Sequence, residues 1–130
     1  MLYDHWKAVP ENIASWPWQY FSPKEMACRG TGELVVNRDF ISRLDLVRGL
    51  YGSPLVVLSG YRSSYWNAVV GGAPRSMHLF GQAADISIVG RDKHGLKRLA
   101  EFEGMTGFGH YRTFLHMDTG RPRFWGEWDA

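Results

Sequence analysis

A single cysteine, Cys28, stands in the whole chain, and one thiol makes no internal disulfide. The fold therefore rests on burial, without the covalent staples of small secreted domains. Cys28 follows Met26 and Ala27 at the end of a short helical stretch, and reads as a buried structural thiol rather than a reactive or metal-bound one. Charge of one sign is also scarce. Fifteen Lys and Arg against thirteen Asp and Glu leave a formal +2, and the signs alternate along the chain. That offers no basic stripe for tracking a nucleic-acid backbone, although a mildly basic surface suits an anionic polymer. No run approaches the roughly 20 apolar residues of a membrane span. No basic segment followed by an apolar stretch opens the sequence, as a secretory signal would. These absences predict a protein made in the cytoplasm, with no membrane span and no nucleic-acid partner, so that any extracellular target needs separate delivery. Low-complexity segments and repeats are missing too, and nothing suggests disorder.

What is present fits one domain over residues 1–130, long enough to bury a single core. Tryptophan is abundant, with six residues, and Trp6, Trp16 and Trp18 fall with Pro17 and Tyr20 in an aperiodic opening stretch. Residues 1–20 therefore read as an irregular, aromatic-rich segment, its rings packed over the domain edge in preference to stacking on carbohydrate. Ser22-Pro23-Lys24-Glu25 has the form of a capping box with proline at the first helical position, and Gly30-Thr31-Gly32 is expected to close that helix. Asn37 can cap a second helix with Phe40, Ile41, Leu44, Val47 and Leu50 on one face, ended by Gly52-Ser53-Pro54. Leu55-Val56-Val57-Leu58 reads as a buried strand running to Ser59-Gly60. A brief helical turn follows Tyr61-Arg62-Ser63-Ser64 as far as Val70, stopped by Gly71-Gly72. A third helix is expected from Asp92 to Phe102, with Leu96, Leu99 and Ala100 inward, and two short strands over Gly107 to Tyr111 and Thr113 to Asp118. Helices early and short strands late predict an α+β domain, a small and mostly antiparallel sheet with helices on one face.

Parity within two strands locates the chemistry. In Ala83 to Ile88, Ala84, Ile86 and Ile88 share one face, and Ala83, Asp85 and Ser87 the other. Later, Leu115 and Met117 point one way, and Phe114, His116 and Asp118 the other. If the apolar sets face the helices, Asp85, His116 and Asp118 project from the opposite face, where a cleft would lie. His78 precedes the Asp85 strand in a loop that Gly81 lets turn back toward the same point. Two imidazoles and one carboxylate are the ligand count of a catalytic zinc site with its fourth position open. On residue types and parity alone, a metal site and a satisfied polar cluster both stay open. His5 and His94 read as surface residues, and His110 as a lesser candidate for the cleft.

The order of motifs is more specific. Phe21-Ser22-Pro23-Lys24-Glu25-Met26-Ala27-Cys28, Ser59-Gly60-Tyr61-Arg62-Ser63, and Asn67 with Gly71-Gly72-Ala73 come first. Ser76-x-His78-x-x-Gly81-x-Ala83-x-Asp85 and Phe114-Leu115-His116-Met117-Asp118-Thr119-Gly120 follow. Over roughly Phe21 to Trp125 the sequence resembles the zinc D-alanyl-D-alanine peptidases, bacterial and phage cell-wall carboxypeptidases and endopeptidases in the superfamily of lysostaphin-type enzymes and the hedgehog signalling domain. The resemblance implies a hedgehog-like fold with a zinc cleft opposite the helices. It implies His78, Asp85 and His116 as ligands of Zn2+. It implies Arg62 as the cation facing a substrate carbonyl or carboxylate, and Ser76 as a hydrogen-bond partner to substrate. The expected activity is hydrolysis of a bond beside a D-amino acid in peptidoglycan stem peptides or cross-links. The setting it suggests is a monomeric phage or prophage lysis enzyme or virion component, acting on the wall after release. A non-catalytic zinc-stabilised binding module and a phage tail structural module are the alternatives. The pattern departs in one respect. Some branches carry glutamate three residues before the last ligand, or histidine two before it, where this chain has Thr113 and Phe114. Asp118, beside His116 by parity, is the candidate general base, with orientation of a ligand imidazole as its other reading, and His110 is the next candidate.

Overall fold

The computed structural model describes residues 1–128. Its elements run β1 (Leu2–Tyr3), α1 (Pro23–Met26), β2 (Leu34–Val35), α2 (Arg38–Tyr51), β3 (Val57–Ser59), α3 (Ser64–Val69), β4 (Ala83–Ser87), α4 (Lys93–Phe102), β5 (Gly107–His110), β6 (Phe114–Asp118) and β7 (Arg123–Trp125). Single 3-10 turns occupy Trp6–Ala8 and Met77–Phe80. The main sheet has the strand order β3-β4-β6-β5-β7. It is antiparallel throughout except that β7 lies parallel to β5. This is the expected α+β domain with a mostly antiparallel sheet. The β1–β2 ribbon and β7 are additions, each two or three residues long and too short to carry a period.

The helices form where local chemistry starts and stops them. The Asn37 carboxamide oxygen accepts from the Phe40 N–H at 3.0 Å and opens α2, and Gly52 ends it at a φ of +80°, the left-handed turn that glycine adopts freely. Phe40, Ile41, Leu44 and Val47 of α2, with Leu96 and Ala100 of α4, bury against Ala84, Ile86, Phe108, Leu115 and Met117 of the sheet in one cluster. Leu99 packs partly buried at its margin. Leu50 departs from expectation at 54% exposed, because it lies on the flank of α2, about 100° around the helix from the buried stripe, and Tyr51 takes the core-facing place in the last turn. The segment before Ser59 departs as well. Leu55 and Val57 are buried, yet Val56 and Leu58 face solvent, since side chains alternate along the segment and the helices cover one face of the sheet only.

At α1 the capping box is complete, with Glu25 N–H on Ser22 Oγ at 3.2 Å and Ser22 N–H on Glu25 Oε1 at 3.0 Å. The helix ends one turn later at Met26, capped by Ala27 rather than by the downstream glycines. The opening segment is irregular apart from β1 and its turn, and its tryptophan rings pack inward while Tyr20 stays exposed. Trp18 is buried and donates from Nε1 to Ser42 Oγ at 2.9 Å, while Trp16 donates to the Phe21 carbonyl at 2.7 Å. Cys28 is buried, its sulfur 3.7 Å from Ser63 Oγ. Among the described residues no helix is long and apolar enough to cross a membrane.

Candidate metal centre

β4 and β6 are neighbours, and their register sets Asp85 opposite His116 and Ala83 opposite Asp118. Because side chains alternate across a strand, the register that sends Ala84, Ile86, Leu115 and Met117 into the helix-side core brings Asp85 and His116 together on the other face. His78 arrives from the Met77–Phe80 turn. Ser76 caps that turn by accepting the His78 N–H on Oγ at 3.2 Å, and Gly81 leaves it at a φ of +68°. The imidazole is then fixed from behind, with Nδ1 2.6 Å from the Gly60 carbonyl, so Nδ1 carries a proton and Nε2 faces Asp85.

One donor atom from each of His78, Asp85 and His116 lies within 4.8 Å of the other two, and all three residues are buried. His78 Nε2 stands 3.2 Å from Asp85 Oδ1, and His116 Nδ1 stands 2.9 Å from the same oxygen. Tetrahedral zinc with ligands at about 2.0–2.1 Å needs neighbouring donors roughly 3.3 Å apart, so the three groups fit that ion with little rearrangement. Their chemistry fits too. Each imidazole donates its outward N–H to an oxygen, Gly60 O for His78 and Asp118 Oδ2 for His116, which leaves the inward nitrogen to hydrogen-bond Asp85 when protonated and to ligate a metal when not. Burial acts to raise the Asp85 carboxyl, but hydrogen bonds and charge from His116 and His78 outweigh it and hold the group well below the ordinary carboxylate range.

Asp118 sits behind His116, with no exposure at all. Its Oδ2 takes the His116 Nε2 proton at 2.6 Å and an Arg123 N–H at 2.7 Å. Its Oδ1 takes a second Arg123 N–H at 2.8 Å and the Gly120 N–H at 2.9 Å. Both oxygens are occupied. Burial again opposes ionisation, and His116, Arg123 and Gly120 together reverse it, so the Asp118 carboxyl is also pushed far down.

A cleft of about 500 Å³ opens over the three donors, and Arg62 and Ser76 lie on its wall. Arg62 donates from Nε to Ser59 Oγ at 3.1 Å, from Nη1 to Asn67 Oδ1 at 3.3 Å and from Nη2 to Asp85 Oδ2 at 3.3 Å. Three of the five N–H groups of a guanidinium are thus engaged, one of them in steadying the second oxygen of the central carboxylate. His110 is elsewhere. It shares the parity of Phe108, on the helix side of β5, and its ring packs on Trp128 with a centroid distance of 4.6 Å. The opposite wall of the cleft holds Tyr111, Phe114, Arg123 and Trp125, of which only Phe114 entered the sequence reading. Arg123 and Trp125 belong to the three-residue β7, and no pattern in so short a strand says which way its side chains point.

An α+β sheet carrying a His-Asp-His donor set at the floor of a cleft defines a metallopeptidase-like domain. The chain belongs to the peptidase M15 family, whose model matches residues 19–118. It is similar to the probable peptidoglycan L,D-endopeptidase MepK of Haemophilus influenzae, 38% identical over 84 residues, covering 59% of this chain and 45% of that protein. It is also similar to the zinc D-Ala-D-Ala carboxypeptidase of Streptomyces albus G, 33% identical over 89 residues, covering 64% of this chain and 35% of that one. A third relative is the peptidoglycan L,D-endopeptidase MepK of Escherichia coli K12, 32% identical over 99 residues, with 69% of this chain and 54% of that one covered. The chain thus spans about half, or less, of the length of these relatives.

Proposed function

We propose that this protein is a zinc-dependent peptidoglycan peptidase, hydrolysing a bond next to a D-amino acid in stem peptides or cross-links. The convergence of His78 Nε2, Asp85 Oδ1 and His116 Nδ1 at the floor of an open cleft carries the reading. Three protein donors leave a coordination position free, as catalytic zinc sites do and closed structural sites do not. The names of the relatives supply the substrate class. Zinc bound there would acidify a water and polarise the scissile carbonyl, so that attack proceeds at neutral pH.

The chain's own groups then have defined work. His78 and His116 are held in the ligating tautomer by Gly60 and Asp118. Asp118 is read as the group that orients His116 rather than as the general base, because a carboxylate with no exposure and both oxygens occupied has no path to a substrate proton. Arg62 keeps Asp85 in place, and its two unengaged N–H groups are available to a substrate carbonyl or terminal carboxylate. Ser76 has a hydroxyl proton left to donate, its oxygen already accepting from His78.

One observation favours a second reading, a zinc-stabilised module that binds wall without cutting it. Among the described residues lining the cleft, Asp85 is the only carboxylate and His78 and His116 the only imidazoles, all three being the proposed ligands. A digest of purified muropeptide monomers and dimers, with zinc-loaded and chelator-treated protein and read by mass spectrometry, separates the two. Loss of a terminal alanine from monomers indicates a carboxypeptidase, and conversion of dimers to monomers an endopeptidase. Unchanged muropeptides with zinc bound would replace the peptidase reading by the binding module.

A further inference from the structure

Peptide hydrolysis builds negative charge on the carbonyl oxygen, and a donor aimed at that charge is worth more than any contact present equally in the ground state. Arg62 has most of its donors committed to Ser59, Asn67 and Asp85, so the far wall of the cleft matters. The titratable groups described on it are Arg123, bound to Asp118, and Tyr111. Tyr111 is held there by two contacts, one of them to a residue that itself touches the metal centre. Its ring stacks on Phe114 with centroids 4.3 Å apart and planes 11° from parallel. Its hydroxyl oxygen accepts the Trp125 Nε1 proton at 2.8 Å. Trp125 itself lies against the ligand, its ring centroid 5.0 Å from that of His116.

The backbone beneath has been cleared for this arrangement. Gly109 is the register partner of His116. A Cβ at Gly109 would come within 2.6 Å of the Trp125 ring and 2.7 Å of the Tyr111 ring, so the two aromatics meet across a position that only glycine leaves open. With its oxygen occupied by the indole N–H, the phenol has its own proton left to give. Tyr111 is about 40% exposed, on the cleft side.

We propose that Tyr111 is a catalytic residue of this site, its hydroxyl donating a hydrogen bond to the oxyanion that develops on the scissile carbonyl. Trp125 and Phe114 fix its direction. The assignment rests on the peptidase reading above. It needs no proton to leave the tyrosine, so the base that receives the proton of the attacking water is not part of it.

The test pairs Tyr111→Phe with wild type in two assays, after zinc content and melting temperature are measured for both. The first is steady-state hydrolysis of the muropeptide that wild type cleaves. The second is calorimetric titration with a phosphinate dipeptide of D-alanine, whose tetrahedral anion mimics the oxyanion. Equal zinc, a fall in kcat on the order of 10²-fold with KM nearly unchanged, and a comparable loss of phosphinate affinity are expected. Trp125→Phe, which keeps a ring but lacks the N–H, should fall between the two. Unchanged kcat in Tyr111→Phe, or loss of zinc from it, would overturn the assignment while leaving the peptidase reading in place. If wild type itself cuts nothing, the peptidase reading fails. The titration then still decides on Tyr111, since equal phosphinate binding by the two proteins, or none by either, overturns it.

Discussion

At the scale of the residue, the centre is a chain of pairings running from β7 to the donor set. Arg123 holds both oxygens of Asp118, Asp118 takes the Nε2 proton of His116, and His116 turns Nδ1 toward Asp85. Asp118→Asn keeps an acceptor near His116 but sets an uncharged amide against Arg123. Outer partners of ligand histidines are generally worth about 10–100-fold in metal affinity or activity. Zinc titration against a chromophoric chelator should therefore show affinity lower by about that factor, and wild-type affinity would show that Asp118 does not orient the ligand. Arg123→Met does something different. It strands a wholly buried carboxylate, and loss of one partner from a buried pair costs about 3–5 kcal/mol. Since the Arg123 side chain is 28% exposed and water can enter where it stood, the lower end is expected in urea denaturation. The double variant should recover part of the loss, because the amide needs no counter-charge. The convergence of His78, Asp85 and His116 was legible in the sequence, since parity in two strands and the spacing of His78 from Asp85 follow from residue order, whereas their reading as metal donors came from the family resemblance. Arg123 and Trp125 were not, because their strand is defined only by its neighbour β5.

At the scale of the element, the sequence was readable where a feature is local and unreadable where it depends on what lies alongside. The α2 cap and the α1 capping box were visible as single side chains facing N–H groups three residues on. Replacing Asn37 by alanine should cost about 1 kcal/mol in chemical denaturation; no loss would mean that water replaces the cap. Leu50 and Val56 carry the same apolar signal as Leu44 and Val57, yet they face solvent. The hydrophobic period gives the direction of a side chain. It does not say how wide a stripe the neighbouring surface covers, and Leu50 lies on the flank of α2 while Tyr51 faces the core. Leu44→Ala and Leu115→Ala, both fully buried, should each cost about 2–5 kcal/mol, whereas Leu50→Ala should stay within about 0.5 kcal/mol. Equal losses at Leu44 and Leu50 would mean that the flank of α2 is covered by something absent from this arrangement.

At the scale of the whole molecule, the two faces of the sheet have opposed requirements. One face closes an apolar core with α2 and α4, and the other gathers His78, Asp85, His116 and Asp118 into a buried polar cluster. The same β4–β6 register serves both, so a slip of one residue would exchange the faces. Metal binding and global stability are thereby coupled. An ion that binds the folded chain and not the unfolded one stabilises it by mass action, by about 2.7 kcal/mol at a free concentration 100 times its dissociation constant. Without the ion, Asp85 remains ionised between two imidazoles, a satisfied arrangement, so the metal-free protein should stay folded. Thermal unfolding followed against free zinc should therefore show a melting temperature that climbs steadily in wild type and is lower, but still cooperative, after chelation. In His116→Ala the melting temperature should be the same with and without zinc, because two donors no longer hold the ion. If that variant still rises with zinc as wild type does, the ion is bound without His116, and the coupling between donor set and sheet register fails with it.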